Sequence, residues 1–155
     1  MNKVIKTVVF AFLALGLVAG CGFTSSSKQK GENAAGGGGT VIEITEDEFA
    51  ELVYDFKNGG EWNYKGDKPA VIDFYAVWCG PCKRLRPRLE QLAHEYGDEI
   101  VVYSIDAEKA LTISSMIGLR AFPTLLFVPV EGTPTLGEGL MSLKALREEV
   151  EKIKD

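Results

Sequence analysis

The stretch AVIDFYAVWCGPCKRLRP, residues 70–87, decides how the remaining sequence is read. Ala70–Val77 is a nearly continuous apolar run rich in β-formers, the composition of a strand covered on both faces. Beyond Trp78 the chain turns at Cys79-Gly80-Pro81-Cys82. It then continues as a helix from Gly80 to about Tyr96, with Leu85, Leu89, Leu92 and Ala93 as the inner face. Pro81 fits a first helical turn, where its missing N–H costs nothing. Pro87 cannot donate to the Lys83 carbonyl, which predicts a kink there. A strand feeding a helix through this turn sets the Cys79 sulfur among unpaired N–H groups at the positive end of the helix dipole. The expected product is a stabilised thiolate.

A free thiol of pKa about 8.5 is roughly 3% ionised at pH 7, and a fall to about 7 makes it about half thiolate. Intrinsic nucleophilicity falls with the pKa, so attack gains only a few-fold, but Cys79 also becomes a better leaving group when a second thiol displaces it. Asp73 is the one acidic residue in the strand. Burial raises the pKa of a carboxyl group, and a group so placed exchanges protons near neutrality. The alternative is an Asp on an edge strand facing water. There are three cysteines, Cys21, Cys79 and Cys82, which suggests one redox dithiol and one cysteine with another task. Zinc is a poor fit. His94, the single histidine, lies twelve residues past Cys82, about 18 Å along a helix and roughly 120° round it. Too few ligands converge for a tetrahedral site. No metal and no cofactor are expected.

Trp78-Cys79-Gly80-Pro81-Cys82-Lys83, preceded by Asp73-Phe74-Tyr75-Ala76 and followed by Phe122-Pro123-Thr124, resembles the active-site signature of the thioredoxin family. The resemblance runs from about Val41 to Lys154. It implies a thioredoxin fold, α/β, with a mixed central sheet flanked by helices on both faces; the alternation of β and α segments supports that class independently. It further implies that Cys79 and Cys82 form a redox-active disulfide. Cys82 would be the shielded resolving thiol, deprotonated with help from Asp73, and the thiolate magnitude above is the family's own. Trp78, Gly80 and Pro81 would shape the active-site turn. Pro123 would be cis against the cysteines, Phe122 would offer its N–H and C=O to an extended substrate as in strand addition, and Gly139 would lie near the groove. One position departs from the family. Where thioredoxins commonly place a lysine on the strand beside the buried Asp, this chain has Val102. Without that cation, Asp73 is expected to be harder to ionise.

Around this centre, Val41–Ile44 reads as a short strand, and Thr45 with Glu48 forms a capping box. Phe49, Leu52, Val53 and Phe56 recur at helical spacing up to Asn58-Gly59-Gly60, and Trp62 and Tyr64 in the next loop read as packing residues. Lys83, Arg84, Arg86 and Arg88 read as a solvated basic collar, with selection of acidic partners as the alternative. Ile100–Ile105 is a second strand, Ala107–Ile117 a short helix closed by Gly118, and Leu125–Val128 a strand. Glu131-Gly132-Thr133 turns into Thr135–Glu138, and Ser142 caps a last helix whose Leu143, Leu146, Val150 and Ile153 face inward.

Residues 1–20 have the pattern of a signal peptide, with Lys3 and Lys6, an apolar centre and small residues before a cut. Spanning a bilayer takes about 20 apolar residues, so a transmembrane anchor is the weaker alternative. Val18-Ala19-Gly20-Cys21 resembles a bacterial lipobox. That implies a lipidated Cys21, and two or more acyl chains suffice to hold a protein on a membrane. Plain secretion and a structural thiol are the other readings. Residues 21–40 are a Gly/Ser-rich linker, with a reach of about 21–25 Å for a flexible chain of about 18 residues. Residues 41–155 are the folded domain.

The chain carries 17 basic and 22 acidic residues, a net charge of −5. Residues 1–20 hold two lysines and no acid, so the remainder has 15 bases against 22 acids, a net of −7. Such a balance argues against nucleic acid as a partner. The expected function is a thiol–disulfide oxidoreductase that reduces or isomerises protein disulfides, lipid-anchored on the periplasmic side of a bacterial membrane. Its expected partners are disulfide-bearing proteins and a membrane dithiol/disulfide donor, and a monomer is expected. The alternatives are a periplasmic thiol oxidant recycled by a membrane partner, and a tethered, non-catalytic interaction module.

Overall fold

The computed structural model describes residues 39–155. The expected signal peptide, the expected lipidation at Cys21 and the expected linker as far as residue 38 lie outside the described residues. From there the chain runs β1 (Val41–Glu43), α1 (Glu46–Leu52), β2 (Ala70–Tyr75), α2 (Gly80–Tyr96), a 3-10 turn (Gly97–Glu99) and β3 (Val101–Asp106). It continues through α3 (Leu111–Met116), β4 (Thr124–Val128) and β5 (Thr135–Glu138) to α4 (Leu143–Lys154). The strands form one sheet in the order β1-β3-β2-β4-β5. β1 and β2 run parallel to β3, whereas β4 is antiparallel to both β2 and β5. The mixed sheet expected from the resemblance is therefore present.

β2 is central, and its alternation feeds two cores. Ala70, Ile72 and Phe74 join Phe49 and Val53 from the α1 segment, Ile113 of α3, Ile105 of β3 and Leu126 of β4. Val71 points the other way, with Val102, Leu125 and Phe127, against Leu85, Leu89 and Leu92 of α2 and Leu146, Val150 and Ile153 of α4. Both faces are covered, which is why the strand reads as a continuous apolar run. Trp62 and Tyr64 pack on the first core, as expected.

α1 starts at its capping box, with the Glu48 N–H donating to Thr45 Oγ1 and the Thr45 N–H to Glu48. It ends earlier than the hydrophobic spacing predicts. The N–H groups of Val53 and Tyr54 both turn onto the Phe49 carbonyl, and Asp55 then accepts from the Asn58 backbone and side chain. Lys65 satisfies two carbonyls left open at that end, donating from Nζ to Ala50 and from its backbone N–H to Val53. α3 is also shorter than expected. Its N-terminal Ile113 N–H and Thr112 hydroxyl both donate to Glu46 of α1, a tertiary cap invisible in local sequence. α4 begins as expected, with Ser142 Oγ accepting from the Ala145 N–H.

Candidate active site

β2 ends at Tyr75, two residues before the apolar run does, and the Cys79 N–H donates to the Ala76 carbonyl to close the turn. Cys79 is the N-cap of α2, with Pro81 in the first turn, and its sulfur accepts the Cys82 N–H at 3.1 Å. The two sulfurs are joined in a disulfide with the Cα atoms 5.3 Å apart. Both cysteines are buried, at 2% and 5% exposure, in a small cluster with Ala76, against which Tyr75 and Phe122 pack. At Gly80 a side chain would meet nothing within 4 Å, so crowding does not demand glycine there.

The rim above the disulfide is apolar. Trp78 is 65% exposed and Val77 58%. The Trp78 ring meets Phe122 edge-on at 5.7 Å, and its indole N–H donates to Glu108 at 2.9 Å. The Phe122–Pro123 bond is cis, as the resemblance implied. The Pro123 carbonyl accepts from the Gly139 N–H at 2.8 Å, and Gly139 has φ +83°, a conformation that favours glycine. Among the described residues, the Phe122 N–H and C=O take no part in the backbone hydrogen bonds that tie neighbouring loops.

Asp73 lies on the sheet face that α2 covers, 2% exposed, and its Oδ1 has no hydrogen-bond partner. Burial pushes its carboxyl up to about 7; Arg86 opposes that rise and Glu43 adds to it. Asp73 and Cys82 line one cavity of about 290 Å³, together with Glu43, Tyr75, Lys83 and Arg86. The surroundings of Asp73 differ from those expected around Val102. Register sets Ser104, not Val102, directly beside Asp73, while Val102 pairs with Val71 one layer deeper. The cation comes instead from α2, where Arg86 Nη1 donates to Ser104 Oγ at 3.0 Å. The expected basic collar is accordingly split. Lys83 and Arg84 are exposed, Arg86 reaches the sheet, and Arg88 donates to the Met141 carbonyl.

A strand, a Cys-x-x-Cys N-cap, a buried acid behind it and a cis-proline loop beside it form one constellation. The thioredoxin family model matches residues 40–152, and that match decides the identity. The chain belongs to the thioredoxin family. It is a protein-disulfide oxidoreductase, and Cys79–Cys82 is the disulfide-forming pair. A thioredoxin of Borreliella burgdorferi is 48% identical over 101 residues, covering 65% of this chain and 86% of that protein. Thioredoxin-T of Drosophila melanogaster is 45% identical over 81 residues, which is 50% of this chain and 52% of the fly protein. Among solved structures, chloroplastic thioredoxin z superposes with a TM-score of 0.63 at 26% identity, covering 74% of this chain and 95% of that one. Glu43, Ser104 and Arg86 were not among the residues singled out for the site. A signal for Arg86 existed: it stands one helical turn after Cys82, beside Leu85 and Leu89 on the inner face.

Proposed function

We propose that this thioredoxin reduces or isomerises disulfides of other proteins outside the cytoplasm, tethered to a bacterial membrane through a lipid on Cys21. The observation that carries the chemistry is the shared cavity of Cys82 and Asp73 directly behind an N-capping Cys79. In the reduced state the Cys79 thiolate accepts hydrogen bonds from the first turn of α2, a charge-assisted interaction stronger than a neutral one. The thiolate attacks one sulfur of a substrate disulfide; a Cys79–substrate bond forms and the other substrate sulfur leaves as a thiolate. Cys82 then gives its proton to the Asp73 carboxylate and attacks Cys79 Sγ. The first substrate thiol is released, and Cys79–Cys82 closes. Two electrons pass from the dithiol to the substrate, and a membrane dithiol donor restores them. Phe122 and Pro123 hold the substrate strand by its backbone, and Trp78, Gly80, Pro81 and Gly139 shape the groove.

Extracytoplasmic placement is supported by the basic and apolar residues 1–20 and by the Val18-Ala19-Gly20-Cys21 sequence. The decisive test is trapping. Cys82→Ser accumulates mixed disulfides with client proteins, and Cys79→Ser accumulates none. Normal disulfide reduction by both variants would end the proposal. Cys21→Ser should release the protein from membranes, and unchanged membrane association would remove the lipid anchor from the account.

A further inference from the structure

β1, β3 and β2 lie side by side and parallel, so residues in register point to the same face. Register aligns Glu43 with Ser104 and Ser104 with Asp73, a row of three polar side chains across three strands. This row lies where the apolar layer under α2 stops. Arg86, one turn beyond Cys82, reaches down onto it. Its Nη1 lies 3.0 Å from Ser104 Oγ and 3.8 Å from Glu43 Oε2, and its Nε lies 3.2 Å from Glu90 Oε1. Ser104 Oγ in turn donates to Glu43 at 3.4 Å, and the Tyr75 hydroxyl donates to the other Glu43 oxygen. The guanidinium is therefore clamped by groups from β1, β3 and its own helix. It lines the same cavity as Asp73 and Cys82.

We infer that Arg86, clamped by Glu43 and Ser104, is the positioning residue that sets the proton affinity of Asp73, and that the cavity they line carries the proton between Asp73 and solvent. The inference deepens the proposed mechanism and rests on it for the role of Asp73. Its basis is geometric. Asp73 has a buried oxygen without a partner, and among the described residues Arg86 is the one cation held against the row in which Asp73 stands. The other groups facing Asp73 leave that assignment to Arg86. On β4 its register neighbour is Leu125, on β2 Tyr75 is engaged by Glu43, and on α2 Lys83 lines the cavity but is exposed. Asp106, further along β3, is paired with Lys109 at 2.9 Å. A cavity of about 290 Å³ has room for several waters, since one water takes up about 30 Å³ of the liquid. Polar groups line it from the exposed Lys83 to the buried carboxyl, so a proton leaving Cys82 through Asp73 has a wet exit.

The cation near Asp73 is thus supplied from the helix, by Arg86, while the neighbouring strand places uncharged Ser104 and Val102 on that face. Two glutamates share the guanidinium, so its influence belongs at the small end of what a neighbouring charge exerts. The test follows the Asp73 carboxyl by carbon-13 NMR in the reduced full-length protein, beside the pH profile of disulfide reduction. Arg86→Met should raise the Asp73 midpoint by roughly half to one pH unit, Arg86→Lys should largely restore it, and Glu43→Gln should lower it. The alkaline shift should appear equally in the pH profile of turnover. A folded Arg86→Met protein with an unmoved midpoint overturns the inference. If that variant does not fold, Arg86→Gln decides in its place, and an unmoved midpoint there overturns it equally. Loss of disulfide exchange in the unmutated protein would defeat the proposed function instead, while the NMR midpoints would still judge the role of Arg86.

Discussion

On the α1 and α3 side of the sheet, β2 presents Ala70, Ile72 and Phe74 to a layer that includes Phe49, Val53, Ile105, Ile113 and Leu126. Its buried polar exception among the described residues, Thr124, donates to the Ala121 carbonyl. On the α2 and α4 side the same strand presents Val71 and then Asp73 and Tyr75, and β3 presents Val102 and then Ser104 and Asp106. The lower half of that face is as apolar as its opposite. Towards the C-terminal ends of the parallel strands it turns polar, and there the disulfide and the cavity lie. The contrast separates two tasks. One face supplies packing free energy, while the other gives up part of it to keep a carboxyl group unpaired beside a thiol. An unsatisfied buried polar atom is costly, and in the proposed mechanism Asp73 is kept there to take the Cys82 proton.

The comparison can be broken first by truncation in the apolar face. Phe74→Ala should destabilise the domain by about 3–5 kcal/mol, with little dependence on pH, as judged by denaturant unfolding. Asp73→Asn should act in the opposite sense. Asp73 is held near 7 in the folded state against about 3.9 in the unfolded chain, so the native state binds its proton more tightly. Stability therefore falls as pH rises between those two values, by about 4 kcal/mol in all. Asp73→Asn should remove that fall, stabilising the protein most at pH 8 and scarcely at pH 3.5, while slowing resolution of the mixed disulfide. Equal stabilisation at both pH values would contradict the account of the polar face. The smallest effect belongs to the helix caps, which serve neither face directly. Thr45→Ala or Ser142→Ala should each cost about 1 kcal/mol, with disulfide exchange unchanged.

Much of this was legible in residues 70–87, because the elements there are set by local rules: an apolar run, an N-cap, a first-turn proline. α2 occupies Gly80–Tyr96 as expected, and the sheet is mixed as the resemblance implied. The early end of α1 was not legible, since it depends on Lys65 reaching back from a later loop. Nor was the neighbourhood of Asp73. Periodicity shows that Val102 and Ser104 share a face, but which of them stands beside Asp73 is a matter of register, and register is settled only when the strands pair. Arg86 was hidden for a related reason. Its charge marks it as a surface residue, while its position one turn after Cys82 delivers the guanidinium to the sheet.

The central claim concerns one sulfur, Cys79, made acidic by the first turn of α2. Titrating the reduced protein by its thiolate absorbance, with Cys82→Ser as reference, tests it most directly. The account predicts ionisation well below that of free cysteine, as a thiolate held at a helix N-terminus requires. A thiol that ionises at about 8.5, like free cysteine, would contradict it.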